Sequence, residues 1–127
     1  MVRWVVTRLP AVTVNYDLNG NGLLDLNFPY TAEMQAIIAA AGNSSYDHNI
    51  FLVANSNPIG LTGIMAPNRY GFVFAALSPL PYQTTAHELG HGAFSFMHTP
   101  SDMQNLMFNV VGPYERLRKD QWDQVPR

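Results

Sequence analysis

The stretch Thr84-Thr85-Ala86-His87-Glu88-Leu89-Gly90-His91-Gly92-Ala93-Phe94 decides how the chain is read. His87 and His91 are four residues apart, so on a helix they share one face, a turn apart. Two imidazoles at that spacing can reach one metal ion. Glu88 sits beside the first of them, where its carboxylate can hold a water on the open side of the metal. Zinc in such a site lowers the pKa of that water and polarises a carbonyl. Glu88 then takes the water's proton and passes it to a leaving amine. The competing reading is a chance HExxH on a solvated helix. Leu89 and the run 84–86 weigh against it, because they make the helix amphipathic and partly buried, as an active-site helix should be.

A catalytic zinc takes three protein ligands. The chain has four histidines and no cysteine, so thiolate-bound zinc, disulfides and iron–sulfur clusters are excluded. His98 is the leading candidate for the third position. It follows His87 by eleven residues, which on an unbroken helix would place it about 16 Å along the axis. A zinc–imidazole bond is only about 2 Å long. His98 can therefore ligate only if the helix ends soon after His91 and the chain doubles back, and Gly92 is a reasonable place for that break. Asp102 is the rival ligand and Glu115 a more distant one; otherwise His98 is a capping or surface histidine near Pro100.

Composition sets the frame. A length of 127 residues fits one domain spanning 1–127, and 47% apolar with 13% charged residues reads as globular rather than disordered. A net charge of -2 gives no electrostatic reason to expect nucleic acid or an anionic membrane as partner. Arg116, Arg118 and Lys119 cluster locally and read as a solvated helix face. No signal peptide is visible: residues 1–10 carry Arg3 and Arg8 around an apolar run too short for a signal core or a membrane span.

Along the chain, the β-branched run 2–7 reads as a buried strand and 12–16 as a second short one. Thr31 can cap a helix ending near Ala41, with Gly42 as its stop. A strand is expected over 50–54, a long loop over 55–68 and a strand over 70–77. Ser78–Tyr82 breaks that strand, the His87–His91 helix starts near Thr84 or Thr85, and a last helix runs over 113–123. No nucleophile elbow surrounds Ser95, and Asn15–Gly22 lacks the lysine of a phosphate loop.

Asp17, Asn19, Asn21 and Asp25, with Gly22, match the first nine positions of a calcium loop, with oxygen side chains at alternate positions and glycine at the sharp turn. Position twelve is Phe28, where a bidentate glutamate belongs. An Asn-Gly turn with self-bonding Asp and Asn side chains explains the same letters, so calcium and a plain turn both stand at this point.

The segment also resembles a family. The metzincin clan of zincins carries HExxHxxGxxH followed by a methionine-containing turn. Here His87–His91 is followed by His98 and by Asn105-Leu106-Met107, with Phe94 in place of the clan's glycine and the third histidine one residue late. More specifically, the chain is similar to metallopeptidase domains at the ends of bacterial polymorphic toxins and related secreted proteins. These carry AHELGHGAF-x-L-x-HT, then NLM, then a Leu…QW helix; here Ala86–Phe94, Phe96, His98-Thr99, Asn105–Met107, Leu117 and Gln121-Trp122. The match covers residues 85–125, about a third of the chain. The resemblance implies an endopeptidase with His87, His91 and His98 on Zn²⁺, Glu88 as the acid–base group and Met107 as a structural floor beneath the histidines. The family often has Asp-Tyr after NLM, whose tyrosine could help stabilise the oxyanion. Phe108-Asn109 stands there instead, and Tyr114 is the candidate substitute. The resemblance also implies secretion or delivery within a larger toxin, and an immunity protein or inhibitor as a partner.

The expected fold is α+β: one zincin-like domain, a small twisted sheet backed by the helix 31–41 and the HExxH helix. The strand 70–77 is expected to be the sheet edge that pairs with an extended peptide substrate. Two alternatives remain: a non-catalytic module that keeps zinc for structure, and a calcium-stabilised interaction domain without zinc.

Overall fold

The computed structural model describes residues 3, 5–27, 29–42, 45–66, 69–109, 113 and 116–125. In chain order the elements are helix α1 (Ala32–Ala41), strands β1 (Asn49–Val53), β2 (Gly63–Ala66) and β3 (Tyr70–Phe74), helix α2 (Pro81–Phe94) and helix α3 (Lys119–Gln124). The fold is mixed α+β, with a small three-stranded sheet, as the sequence predicts.

Helix α1 has the ends its sequence specifies. The Thr31 hydroxyl accepts from Met34 N–H at 3.1 Å, and Gly42 closes the helix at φ 63°. Met34 and Ile37 enter the main core with Leu24, Val53, Phe72 and Phe74, and Ile64 packs against the same cluster. Side chains alternate along a strand, so Gly63 and Met65 turn to the opposite face. There α2 lies against them: Gly63 faces Thr84 and Glu88, and Met65 packs on Gly92. The sheet thus has α1 on one face and the HExxH helix on the other.

The strand order is β1-β3-β2, with β1 parallel and β2 antiparallel to β3. This corrects the expected edge. β3 is the central strand, paired on both sides; the edge beside α2 is β2, which lies inside the segment 55–68 that reads as loop. Four residues, GIMA, are too few for an alternation signal, and Gly60 and Pro67 flank them. Phe74 N–H donates to the Thr62 carbonyl at 2.9 Å. With the register Ile64↔Phe72, antiparallel alternation directs the amide groups of Ile64 to β3 and those of Gly63 and Met65 outward.

Other boundaries move for local reasons. β3 ends at Phe74 and not at 77, because Leu77 and Ser78 N–H groups turn back onto the Phe74 carbonyl at 3.0 and 2.9 Å. Helix α2 begins at Pro81, ahead of Thr84: a proline in the first turn loses no hydrogen bond. Residues 113–123 are not one helix, since α3 spans only Lys119–Gln124 and Arg116 instead bridges to Asn105. Neither expected N-terminal strand forms among the described residues of 2–7 and 12–16. Val5 and Val6 are 79% and 85% exposed, whereas Val14 and Tyr16 pack against the core. β propensity expresses a fit to neighbouring strands and buried surface, and Val5 and Val6 have neither. The basic cluster is solvated, as expected: Arg118 pairs with Asp120, Lys119 with Asp123, and Arg116 donates to Gln104. No helix among the described residues is long and apolar enough to cross a membrane.

Phe72 is fully buried between the sheet and α1, and Leu52 is 69% exposed on the outer strand β1. Phe72→Ala is expected to cost about 3–5 kcal/mol in urea unfolding, and Leu52→Ser no more than about 0.5 kcal/mol. Equal losses would contradict this placement of the core.

Candidate metal centre

Helix α2 carries His87 and His91 on one face and ends where the third histidine needs it to. The break is at Ser95, not at the expected Gly92. Ser95 takes the left-handed conformation (φ 55°), and the Ser95 and Phe96 N–H groups close back onto the His91 and Gly90 carbonyls, each at 3.1 Å. Gly92 stays helical and has another use. A Cβ there would lie 2.7 Å from Met65 Cε, so the glycine lets the helix approach the sheet. Past Ser95 the chain doubles back and delivers His98.

The three Nε2 atoms converge. His87 and His98 are 3.1 Å apart, His87 and His91 3.1 Å, and His91 and His98 3.2 Å. Among the described residues this is the group of His, Asp and Glu side chains close enough to share an ion. Asp102, the rival ligand, does not belong to it; its Oδ1 accepts from Gln104 N–H at 3.2 Å. Glu115 and Tyr114, the latter expected to stabilise an oxyanion, lie outside the described residues.

Backbone carbonyls aim the rings. His87 Nδ1 lies 2.7 Å from the Leu106 oxygen and His91 Nδ1 2.6 Å from the Phe96 oxygen. A carbonyl only accepts, so in both rings Nδ1 carries the proton and Nε2 presents its lone pair. At least two lone pairs therefore face one another at 3.1 Å, an arrangement that a cation relieves. Tetrahedral ligands on zinc, at bonds of about 2.0–2.1 Å, stand about 3.3 Å apart, close to the spacing found. Burial is the main cause holding His87 down at about 4, with His91 and His98 adding to it and the Leu106 carbonyl opposing it. His91 is lowered for the same first reason. Both rings are thus neutral and ready to ligate at neutral pH.

Glu88 is 5% exposed. Burial pushes its carboxyl up to about 8, opposed by a hydrogen bond from Met65 N–H.

The turn after His98 packs against helix α2. Met107 is fully buried, and its Sδ would lie 2.5 Å from a Cβ on Gly90, between the two helical histidines in sequence. Asn105 and Gln121, which the sequence shows only as letters of a motif, hold this turn. Asn105 accepts from Met107 N–H at 2.8 Å and donates to Gln121 Oε1 at 2.7 Å, and the same oxygen takes Arg118 N–H at 2.8 Å. Thr99 N–H donates to the Met107 carbonyl at 2.9 Å, tying the His98 segment to the turn. Two adjoining polar residues, 1% and 4% exposed, thereby set the height of the Leu106 carbonyl that orients His87.

The loop 17–25 satisfies its own oxygens. Asp17 accepts from Asn21 and Gly22 N–H, both at 2.9 Å. Asp25 accepts from the Asn19 and Asn21 amides at 2.7 and 3.1 Å. Asn19 and Asn21 Oδ1 accept from Asn21 and Leu23 N–H. Buried Glu33 adds a clamp, taking Leu18 and Asp25 N–H at 2.9 and 2.7 Å. These bonds fit the self-bonded turn. Phe28, at the vacant twelfth calcium position, lies outside the described residues.

His98→Ala is expected to weaken zinc binding by more than about 100-fold, beyond the 10–100-fold typical of an outer partner, while Asp102→Ala leaves it unchanged. Zinc content after dialysis measures both, and the opposite pattern would refute the ligand set. Added calcium is expected to move the melting temperature by less than about 2 °C, well under the 4–8 °C per kcal/mol of a small domain. A larger shift would restore the calcium reading.

Comparison with protein-family models, with curated proteins and with solved structures found no match to this chain.

Proposed function

We propose that this chain is a zinc-dependent endopeptidase of zincin type that hydrolyses extended peptides. The observation that carries the reading is the convergence of three Nε2 atoms with Glu88 adjacent in the helix. His87, His91 and His98 would hold the ion. Three protein ligands suit a catalytic zinc, whereas structural sites close all four positions; among the described residues no fourth His, Asp or Glu joins the group. Zinc, when bound, supplies Lewis acidity toward a carbonyl and toward water.

The chain's own groups supply the rest. Glu88 accepts the proton of the attacking water on a carboxylate oxygen and returns it to the leaving amine nitrogen. For this it must be ionised at the start. Burial alone favours its neutral form, and a cation on the neighbouring imidazoles favours the carboxylate. The Met65 N–H holds Glu88, and the outward N–H of Gly63 with the outward carbonyls of Gly63 and Met65 gives an extended peptide a strand edge to pair with beside that carboxylate. The delivery of this domain as part of a secreted bacterial toxin, with an immunity protein as its inhibitor, is a proposal that rests on the likeness of HELGHGAF…HT…NLM…QW.

Glu88→Gln should keep the zinc and the circular dichroism spectrum, because the two side chains are nearly equal in size, and should lose about 10²–10⁴-fold in cleavage of unfolded casein. Equal rates for both forms would end the mechanism. A fully zinc-loaded wild type that cleaves nothing in a broad peptide library would instead favour a non-catalytic zinc module.

A further inference from the structure

Helix α2 and strand β2 meet closely at Glu88. A Cβ on Gly63 would fall 2.7 Å from Glu88 Oε1, 2.7 Å from Thr84 Cγ2 and 3.1 Å from Glu88 Cγ. Carbon atoms in good contact stand about 3.5–4.0 Å apart, so any side chain at 63 forces one of these groups to move. Gly63 is not among the residues with positive φ. Its backbone would accept an L side chain, and glycine serves here for room rather than for conformation.

The two groups that crowd Gly63 differ in what they can give up. Thr84 is fully buried and tied by its hydroxyl to Ser78 at 2.7 Å, while its Cγ2 makes no polar bond. Glu88 is held by the Met65 N–H, two residues along the same strand. Met65 in turn is packed over Gly92, where a Cβ would lie 2.7 Å from Cε and 3.0 Å from Sδ. The strand therefore touches the helix at two points, one on each side of the carboxylate's hydrogen bond.

We infer that Gly63 is a positioning residue for Glu88: its missing side chain lets β2 close on α2, so that Met65 N–H can fix the carboxylate. The catalytic consequence rests on the peptidase reading; the placement of the carboxylate does not. The three atoms nearest a Cβ at 63 belong to Glu88 and Thr84 and not to an imidazole, so its replacement is expected to act on the acid–base group and to spare the metal.

The test compares zinc-loaded wild type, Gly63→Ala, Thr84→Ser, and Gly63→Ala combined with Thr84→Ser. Serine keeps the hydroxyl and removes Cγ2, so the double variant relieves the structural crowding and leaves the methyl against Glu88. Gly63→Ala is expected to bind one zinc, to lower kcat by about 10–100-fold as a 1 Å misplacement does, and to leave KM within about threefold. Thr84→Ser in that background should restore the melting temperature and not kcat. Independently of activity, the Met65 amide proton, shifted downfield by its carboxylate partner, should move upfield in Gly63→Ala and in Glu88→Gln alike. Should Gly63→Ala fail to fold, the double variant carries both readouts. Recovery of kcat together with the melting temperature, or a Met65 amide that stays at its wild-type position in the glycine variants, would overturn the inference. If the wild type cleaves no peptide, the peptidase reading fails by itself and the amide shift alone decides the role of Gly63.

Discussion

Imidazole lone pairs aimed at one point are the constraint on which the rest of this structure depends. The Nε2 atoms of His87 and His91, 3.1 Å apart with their protons turned away onto carbonyls, do not attract one another, so other bonds must hold them there. The left-handed Ser95 returns the chain, the Phe96 and Leu106 carbonyls orient two rings, and the buried Asn105–Gln121 pair anchors the turn that supplies Leu106. Each of these groups is inside the molecule or bonded to something that is. Buried polar pairs of this kind are costly unless fully satisfied, and here the bonds of Asn105 go to a backbone amide and a glutamine. A divalent ion bound there would convert the arrangement from one that merely persists into one that is stabilised, and metal affinity would then be coupled to folding.

The sheet answers a second demand, which is to bring a strand edge close to the HExxH helix. Helices pack on sheets through side chains, and large ones would keep β2 at a distance. Gly63, Gly71 and Gly92 remove them where Glu88, Ile50 and Met65 must fit. Fixing β3 in the centre, with Phe72 and Phe74 in the α1 core, leaves β2 as the strand that flanks the carboxylate. The same geometry that buries Glu88 also hands it the Met65 amide, so its acidity is set by two opposed effects of one contact.

Much of the site was legible in the sequence because its signals are local or rigid. His87 and His91 follow from helical spacing, and the resemblance names His98, whose approach requires only a helix break. Glycine is the usual marker of a left-handed turn, which points to Gly92 for that break; Ser95 adopts it instead, and Gly92 is needed for close packing. Helix α1 is legible because both of its caps, Thr31 and Gly42, are local. The sheet is much less legible. Pairing is decided by partners distant in sequence, so β-branched residues 2–7 did not yield a strand and the short segment Gly63–Ala66 did. Missing β2 also hid Gly63 and Met65, and with them the contact that governs Glu88. Asn105 and Gln121 were visible as letters of a motif, but a side-chain bond between residues sixteen apart has no periodic signature.

The most direct test of the metal centre is zinc K-edge X-ray absorption on protein loaded with one equivalent of zinc. Three imidazole nitrogens at about 2.0–2.1 Å in a four-coordinate shell are the predicted result. A shell of oxygens alone, or six-coordinate zinc without imidazole scattering, would contradict the account, because it would mean that the three converging histidines are not what holds the ion.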